Sequence, residues 1–443
     1  MHKYYGGETE RALKNFPFST HKVRQEFVRA LVFIKKAAAY ANFEDKGFGM
    51  EISRAISKAC DEVLGGKHEQ QFLLPALQGG AGTSVNMNVN EVLAGLATEM
   101  LNKQNKKFKV HPNDHVNRSM STNDANPSAV KIAALFLKEN LELALENLVK
   151  VFELKGVEFK KNKKLGRTHL QDAVPTTLGA EFFSYAATIQ RHLGKIKNTS
   201  GLLQELNLGG TAIGNSINAD AVYIKSVYKN LNKFTGRKFR PAKNLMSLTS
   251  SQTDFLAVSQ AVTSLCVDLS KIANDIRLLA SGPRGGLGEI SLKKLQKGSS
   301  IMPGKVNPVL PETVNQLYFL VSGNNLAIEH AAHASQLELG VMVPVIADKL
   351  LESLKLTTEV ISEFAKNCIV PMVANAKELE KYLENSTAFS TLFVPLLGYD
   401  VVSEVVKKSV LEGRTLREVM LEKKLVTNEQ FEKVINNFKK NVH

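Results

Sequence analysis

The sequence predicts an all-α protein organised around a central bundle of long helices. Three observations carry that prediction. Five stretches place apolar residues at helical spacing over lengths beyond an ordinary globular helix. Alternation of the strand type is scarce. The breaks between the long stretches are polar clusters rich in Ser, Thr, Asn, Gly and Pro, which cannot continue a helix.

Taken in order, residues 1–120 mix short helical segments with loops, and 19–40 (STHKVRQEFVRALVFIKKAAAY) carries three-and-four apolar spacing behind a Ser-Thr start. Two polar stretches follow, GGAGTSVNMNVNE from Gly79 and HPNDHVNRSMSTNDANP from His111. Asn126-Pro127 reads as an N-cap and first helical position, and Val130, Ala133, Leu137, Leu141, Leu145 and Leu148 then recur toward Lys160. A second long helix is expected after Pro175 and past Ile196. A third runs from about Ser251 to Ala280 and stops at Ser281-Gly282-Pro283. A fourth begins near Pro311 with Val314, Leu317, Val321 and Ile328 on one stripe, and a fifth spans Val343 to Phe364. Beyond Val370 the elements shorten. The implied division is an N-terminal helical domain (1–120), a central bundle domain (121–370) and a small C-terminal helical domain (371–443).

Composition narrows the class. A 44% hydrophobic and 23% charged chain of 443 residues is an ordinary globular composition. No apolar run is expected to reach a membrane-spanning length, and Met1–Pro17 lacks a signal-peptide core, so a cytoplasmic location is expected. Cys60, Cys266 and Cys368 form no CxxC pair and read as buried reduced thiols. The net charge is +14, but the lysines fall in scattered short runs and tryptophan is absent. That argues against nucleic-acid binding and for a solvated basic surface, whose field would also draw in a small polyanion.

Four polar stretches could carry chemistry. Gly82-Thr83-Ser84 with Asn86 is one, and Ser121-Thr122-Asn123, ahead of a long helix, is the second. Hydroxyls and free N–H groups at a helix start suit a carboxylate, although the same residues would serve as a plain N-cap. The third is Gly166-Arg167-Thr168-His169-Leu170-Gln171-Asp172, where His169 is either a site residue or a satisfied loop histidine. The fourth is Gly298–Glu312, GSSIMPGKVNPVLPE, a polar loop expected to carry a catalytic base and to cover an anionic substrate. Metal and nucleotide readings are weaker. His111-x3-His115 contains Pro112 and is no helical HExxH, Glu329-His330-x2-His333 reads as a helical face before it reads as a metal site, and neither GxGxxG nor a Walker lysine occurs. GSSIMPG is not the glycine pattern of a nucleophile elbow.

Six blocks taken together resemble the aspartase/fumarase superfamily: GGAGTSVNMNVNEV, HPNDHVNRSMSTND, GRTHLQDAVP, LGGTAIG, NDIRLLASGPRGGLGEI and GSSIMPGKVNP, in order over nearly the whole chain. The resemblance implies an all-α three-domain lyase fold whose central long-helix bundle joins into a tetrameric helical core, with a catalytic loop at 290–308. It implies no metal and no organic cofactor, a small dicarboxylate substrate, and active sites built from three subunits of a homotetramer. Nucleic acid and membrane are not among the partners it implies.

The same resemblance assigns roles. Ser299 is the base that removes a Cβ proton, which builds an enediolate on the neighbouring carboxylate. Thr83, Ser121, Thr122 and Ser300 hold that carboxylate. Thr168, His169, Lys305 and Asn307 hold the other, Asn123 lies near the leaving amine, and Glu312 orients His169 across a subunit interface. His111, Asn113 and Asp114 match a second anion site of the fumarases. The readings GAGTSVNMN, STNDA, NLGGTAIG and PETVNQ point to the aspartase branch, which deaminates aspartate to fumarate, with class II fumarase as the alternative. The chain departs from the family in beginning at the YYG block, at Met120, and in FVPLLGYD, where Val394 and Leu396 replace Asn and His.

Overall fold

The computed structural model describes residues 2–441. Helix dominates, and strand is confined, among the described residues, to three two-stranded pairings. The five long helices are Thr122–Glu158, Leu178–Asn198, Thr253–Leu279, Val309–His333 and Val343–Phe364. An all-α fold is thus what the chain adopts.

One start differs from the sequence expectation, for a local reason. The first long helix begins at Thr122 and takes Pro127 into its interior. Proline has no N–H for the carbonyl four residues back, that of Asn123. Asn207 Nδ2 donates to that carbonyl instead, at 3.0 Å, so the helix passes through the proline without an orphaned acceptor. The second helix starts at Leu178 because Pro175 belongs to a hairpin. Strands β1 (Lys163–Thr168) and β2 (Gln171–Thr177) pair antiparallel, with Pro175 opposite Leu165. The sequence reading had this stretch as a loop.

The described residues pack as two compact units, 2–142 with 194–264 and 319–358, and 143–193 with 265–318 and 359–441. The chain passes from one to the other inside each of the five long helices. In the first unit, helix Gln25–Glu44 buries Val28, Leu31, Val32 and Ile34 and packs on Met50–Leu64, Thr83–Asn102 and Ala221–Thr235. In the second, the hairpin packs on helix Ala376–Asn385, and Leu165 and Leu383 form an apolar cluster with Ala388 just beyond that helix. The shorter helices beyond it enclose Phe393, Val405, Val419 and Phe431, with the two phenyl rings stacked 4.9 Å apart. Val394 packs on that cluster, whereas Leu396 faces solvent.

Helix Thr253–Leu279 corrects one expectation: by length and composition it is apolar enough to cross a bilayer, with a mean hydropathy of 1.3. One face of it packs into the protein, where Phe255, Val258, Val262, Leu265, Leu269, Ile272 and Ile276 are all buried.

Candidate active site

Thr83, Ser121 and Thr122 line one cleft of the first unit, about 880 Å³ in volume, together with Asn113, Asp114 and Thr211. Two clamps build it. The turn before Thr83 needs left-handed backbone at Ala81 (φ 54) and Gly82 (φ 81). Asn126 Nδ2 holds that turn by donating to the carbonyls of Ala81 and Gly82, 3.0 Å each. A Cβ on Gly82 would lie 2.5 Å from the same nitrogen, so only glycine fits. On the other wall, Asp124 Oδ1 accepts from Ser121 N at 2.9 Å, and Oδ2 accepts from Gly209 N and Thr211 N at 2.9 and 3.0 Å. One buried carboxylate therefore joins the helix start to the LGGT turn.

The hydroxyls are poised differently. Ser121 Oγ accepts from Asn123 N at 3.2 Å and Thr122 Oγ1 from Asn86 Nδ2 at 3.3 Å. Each is left with its own O–H to donate, as binding a carboxylate requires. Thr83 Oγ1 instead donates to Gly80 O at 2.8 Å and would have to turn to reach a ligand. Asn123 Nδ2 is held by Ala212 O at 2.8 Å, which leaves its Oδ1 as an acceptor. Among the second-anion residues, Asn113 and Asp114 line this cleft, while the exposed His111 accepts from Asp114 N through Nδ1 at 3.1 Å.

Beneath the cleft lies a polar network that sequence reasoning missed. Lys35, fully buried on a helix that reads as plain core, donates to Asn117 Oδ1 at 2.7 Å. The same oxygen accepts from Asn86 and Asn90 at 3.1 and 3.2 Å, and Asn86 in turn reaches Thr122. Burial pulls the Lys35 ammonium down to about 7, against the attraction of Asp124. Burial pushes the Asp124 carboxyl up to about 6, opposed by its three N–H donors and by Lys35. The available signal was the asparagine spacing in NMNVN (Asn86, Asn88, Asn90), too polar for a buried helix without an internal partner.

In the second unit, His169 and Leu170 form the two-residue turn of the β1–β2 hairpin, with φ of 54° and 60°. Two successive positive φ values define a turn usually given to Asn-Gly, and neither residue is of that kind. The strained turn exposes Thr168 and His169 at its tip. Ser299 sits in the 298–307 loop and accepts at Oγ from Ile301 N (3.2 Å) and Met302 N (3.0 Å). Asn307 Nδ2 closes the loop neck on Gly298 O at 2.6 Å. A Cβ on Gly298 would fall 1.9 Å from Lys305 O, so the neck demands glycine. Ser300 and Lys305 are exposed, and Glu312 is half-buried in the first turn of Val309–His333. Asn307 thus serves here as a clasp for the loop.

A helical fold with a hydroxyl-lined cleft and a serine in a glycine-necked loop points to a class, and comparison with known proteins places the chain in it. Residues 1–323 match the lyase family and residues 390–439 match the fumarase C C-terminus; the chain belongs to this family, within the aspartase/fumarase superfamily. It is 43% identical over 434 residues to an aspartate ammonia-lyase from Bacillus sp, covering 98% of this chain and 93% of the relative. It is 44% identical over 440 residues to the aspartate ammonia-lyase of Escherichia coli (strain K12), covering 98% and 91%. Among solved structures, a class II fumarase from Schistosoma mansoni superposes with a TM-score of 0.94 at 34% identity, covering 98% of this chain and 95% of that one.

Proposed function

We propose that this protein is a carbon–nitrogen lyase that converts L-aspartate reversibly to fumarate and ammonia. The observation that carries the chemistry is the setting of Ser299. A neutral serine is a poor base, because its alkoxide is too costly in water. Here the Oγ already accepts two backbone N–H groups, 3.2 and 3.0 Å away, which would stabilise the oxyanion as the proton leaves. Lys305, six residues on in the same loop, would add a positive charge.

In this reading the Ser299 hydroxyl first gives its proton to solvent, the resulting alkoxide takes the Cβ proton of aspartate, and the electrons move into the adjacent carboxylate as an enediolate. Ser121 and Thr122, each with an O–H free to donate, stabilise the growing charge, with Thr83 after rotation and Ser300 from the loop. Thr168, His169 and Lys305 grip the second carboxylate. Asn307 joins them only if its clasp on Gly298 opens. Asn123 Oδ1 accepts from the ammonium before the Cα–N bond breaks, and the enediolate electrons then expel ammonia to leave fumarate. Glu312 orients His169 from a neighbouring subunit.

A homotetramer, with each site drawn from three subunits, is part of this reading. It is supported by large apolar side chains left exposed on long helices of the single chain, Leu143, Leu154 and Val157 on one and Phe319, Leu320 and Leu326 on another. A cytoplasmic location and the three-domain division with boundaries near 120 and 370 also belong to it. Class II fumarase chemistry is the second reading, favoured by the superposition with the fumarase structure. Supplying L-aspartate and L-malate separately and measuring ammonia and fumarate decides between them. Ammonia from aspartate is expected; rapid fumarate–malate interconversion without ammonia would overturn the proposal.

A further inference from the structure

Glu289 is fully buried, yet it has no part in the chemistry above. It precedes the short strand Ile290–Ser291, which leads directly into the Ser299 loop. Two cations of strand β1 meet its carboxylate. Arg167 Nη1 donates to Oε1 at 2.5 Å, and Lys164 Nζ stands 2.8 Å from Oε2 as an ion pair without an aligned hydrogen bond. Lys164 is 2% exposed and also binds both oxygens of Glu181, at 2.8 and 2.9 Å. Charges therefore alternate through the interior as Glu181, Lys164, Glu289, Arg167.

That convergence is built. Residues 164 and 167 would point to opposite faces of a regular strand. The register of β1 against β2 slips between Leu165 and Arg167, where Gly166 alone faces Ala173 and Val174, a bulge of β2 that interrupts the regular pleat between the two cations. Gly166 makes it possible, since a Cβ there would lie 2.6 Å from Val174 O. Arg167 is the residue next to Thr168 and His169, and its guanidinium lies over the Tyr382 ring, 5.4 Å from the centroid. From the opposite direction, Asn375 fixes the backbone around Glu289. Its N–H donates to Glu289 O (2.9 Å), its Nδ2 donates to Gly288 O (2.6 Å), and its Oδ1 accepts from Ser291 Oγ (3.0 Å).

We infer that Glu289 is a positioning residue: its carboxylate, gripped by Lys164 and Arg167, anchors the root of the base-carrying loop on strand β1 of its own chain. The inference rests on the role given above to Ser299. Loss of the clamp leaves the loop able to touch substrate, but not with Ser299 in the alignment proton abstraction needs. The damage therefore falls on kcat more than on KM.

The test compares wild type, Ser299→Ala, Glu289→Gln, Arg167→Gln and the double variant Glu289→Gln/Arg167→Gln with L-aspartate, kcat being taken per folded assembly. Each single clamp variant is expected to lose at least about 30-fold in kcat with KM within about threefold, and the double variant to be no worse than the poorer single one. Should Glu289→Gln fail to fold, Arg167→Lys keeps the charge but loses the planar fork, and about a tenfold loss in kcat is expected. An inactive wild type, or an active Ser299→Ala, overturns the parent reading and this inference with it. With wild type active and Ser299→Ala dead, wild-type kcat in the folded clamp variants, or strictly additive losses in the double variant, overturns the clamp alone. A purely architectural Glu289 would give those last results together with a lowered Tm.

Discussion

At the scale of single residues the account turns on which lone pairs and protons are already committed. Ser299→Ala removes the proposed base, and kcat is expected to fall by about 10²–10⁴-fold, the contribution of a positioned base, while binding of fumarate persists. Steady-state rates with inhibition measured in parallel check it; near-normal turnover would remove Ser299 from its role. Lys35 offers a test through pH. Its folded value of about 7 lies below the ordinary lysine value of 10.5, so between the two the unfolded chain holds the extra proton and stability must rise with pH. Below pH 7 the folded protein carries the buried charge and its full cost. Wild type is therefore expected to gain stability relative to Lys35→Met between pH 7 and pH 10, read from urea midpoints at both ends. A difference that does not change with pH would mean that the amine is not buried as charge.

At the scale of elements, the loops are held by glycines at points of backbone contact. Gly298→Ala would thrust a methyl into Lys305 O, where the gap is 1.9 Å, and so displace the loop that presents Ser299. Roughly a hundredfold loss of kcat is expected with little change in Tm, because the loop is exposed and the core is untouched. Circular dichroism melts beside rates check this. The long helices were legible from spacing alone, and so was the importance of the 298–312 loop, because apolar periodicity and glycine-proline breaks are local signals. The β1–β2 hairpin was not. Its turn is His169-Leu170, a pair that carries no hairpin signature, and it is imposed by the pairing on either side. Pro127 misled for a related reason, since the group that frees the helix of its missing bond, Asn207, lies 80 residues away. Lys35 was invisible because a lysine beside alanines at helical spacing reads as a solvated position until its burial is seen.

At the scale of the whole molecule, Leu143, Leu154 and Val157 are apolar side chains that a lone chain leaves exposed on one long helix. Leu154→Asp is expected to weaken assembly and to lower activity in step with the loss of tetramer, because in the proposed reading each site draws on neighbouring chains. Light scattering and rates on the same fractions test this, and a fully active monomer would contradict the shared site. The four polar stretches were legible in the sequence as a set, and their roles could be assigned only through the family they resemble.

The central claim is that this fold expels ammonia and not water. Purified protein incubated with L-aspartate, with fumarate and ammonia quantified from the same samples, tests it directly. The account predicts that the two products appear in equal amounts. Fumarate from L-malate, with no ammonia from L-aspartate, would contradict it.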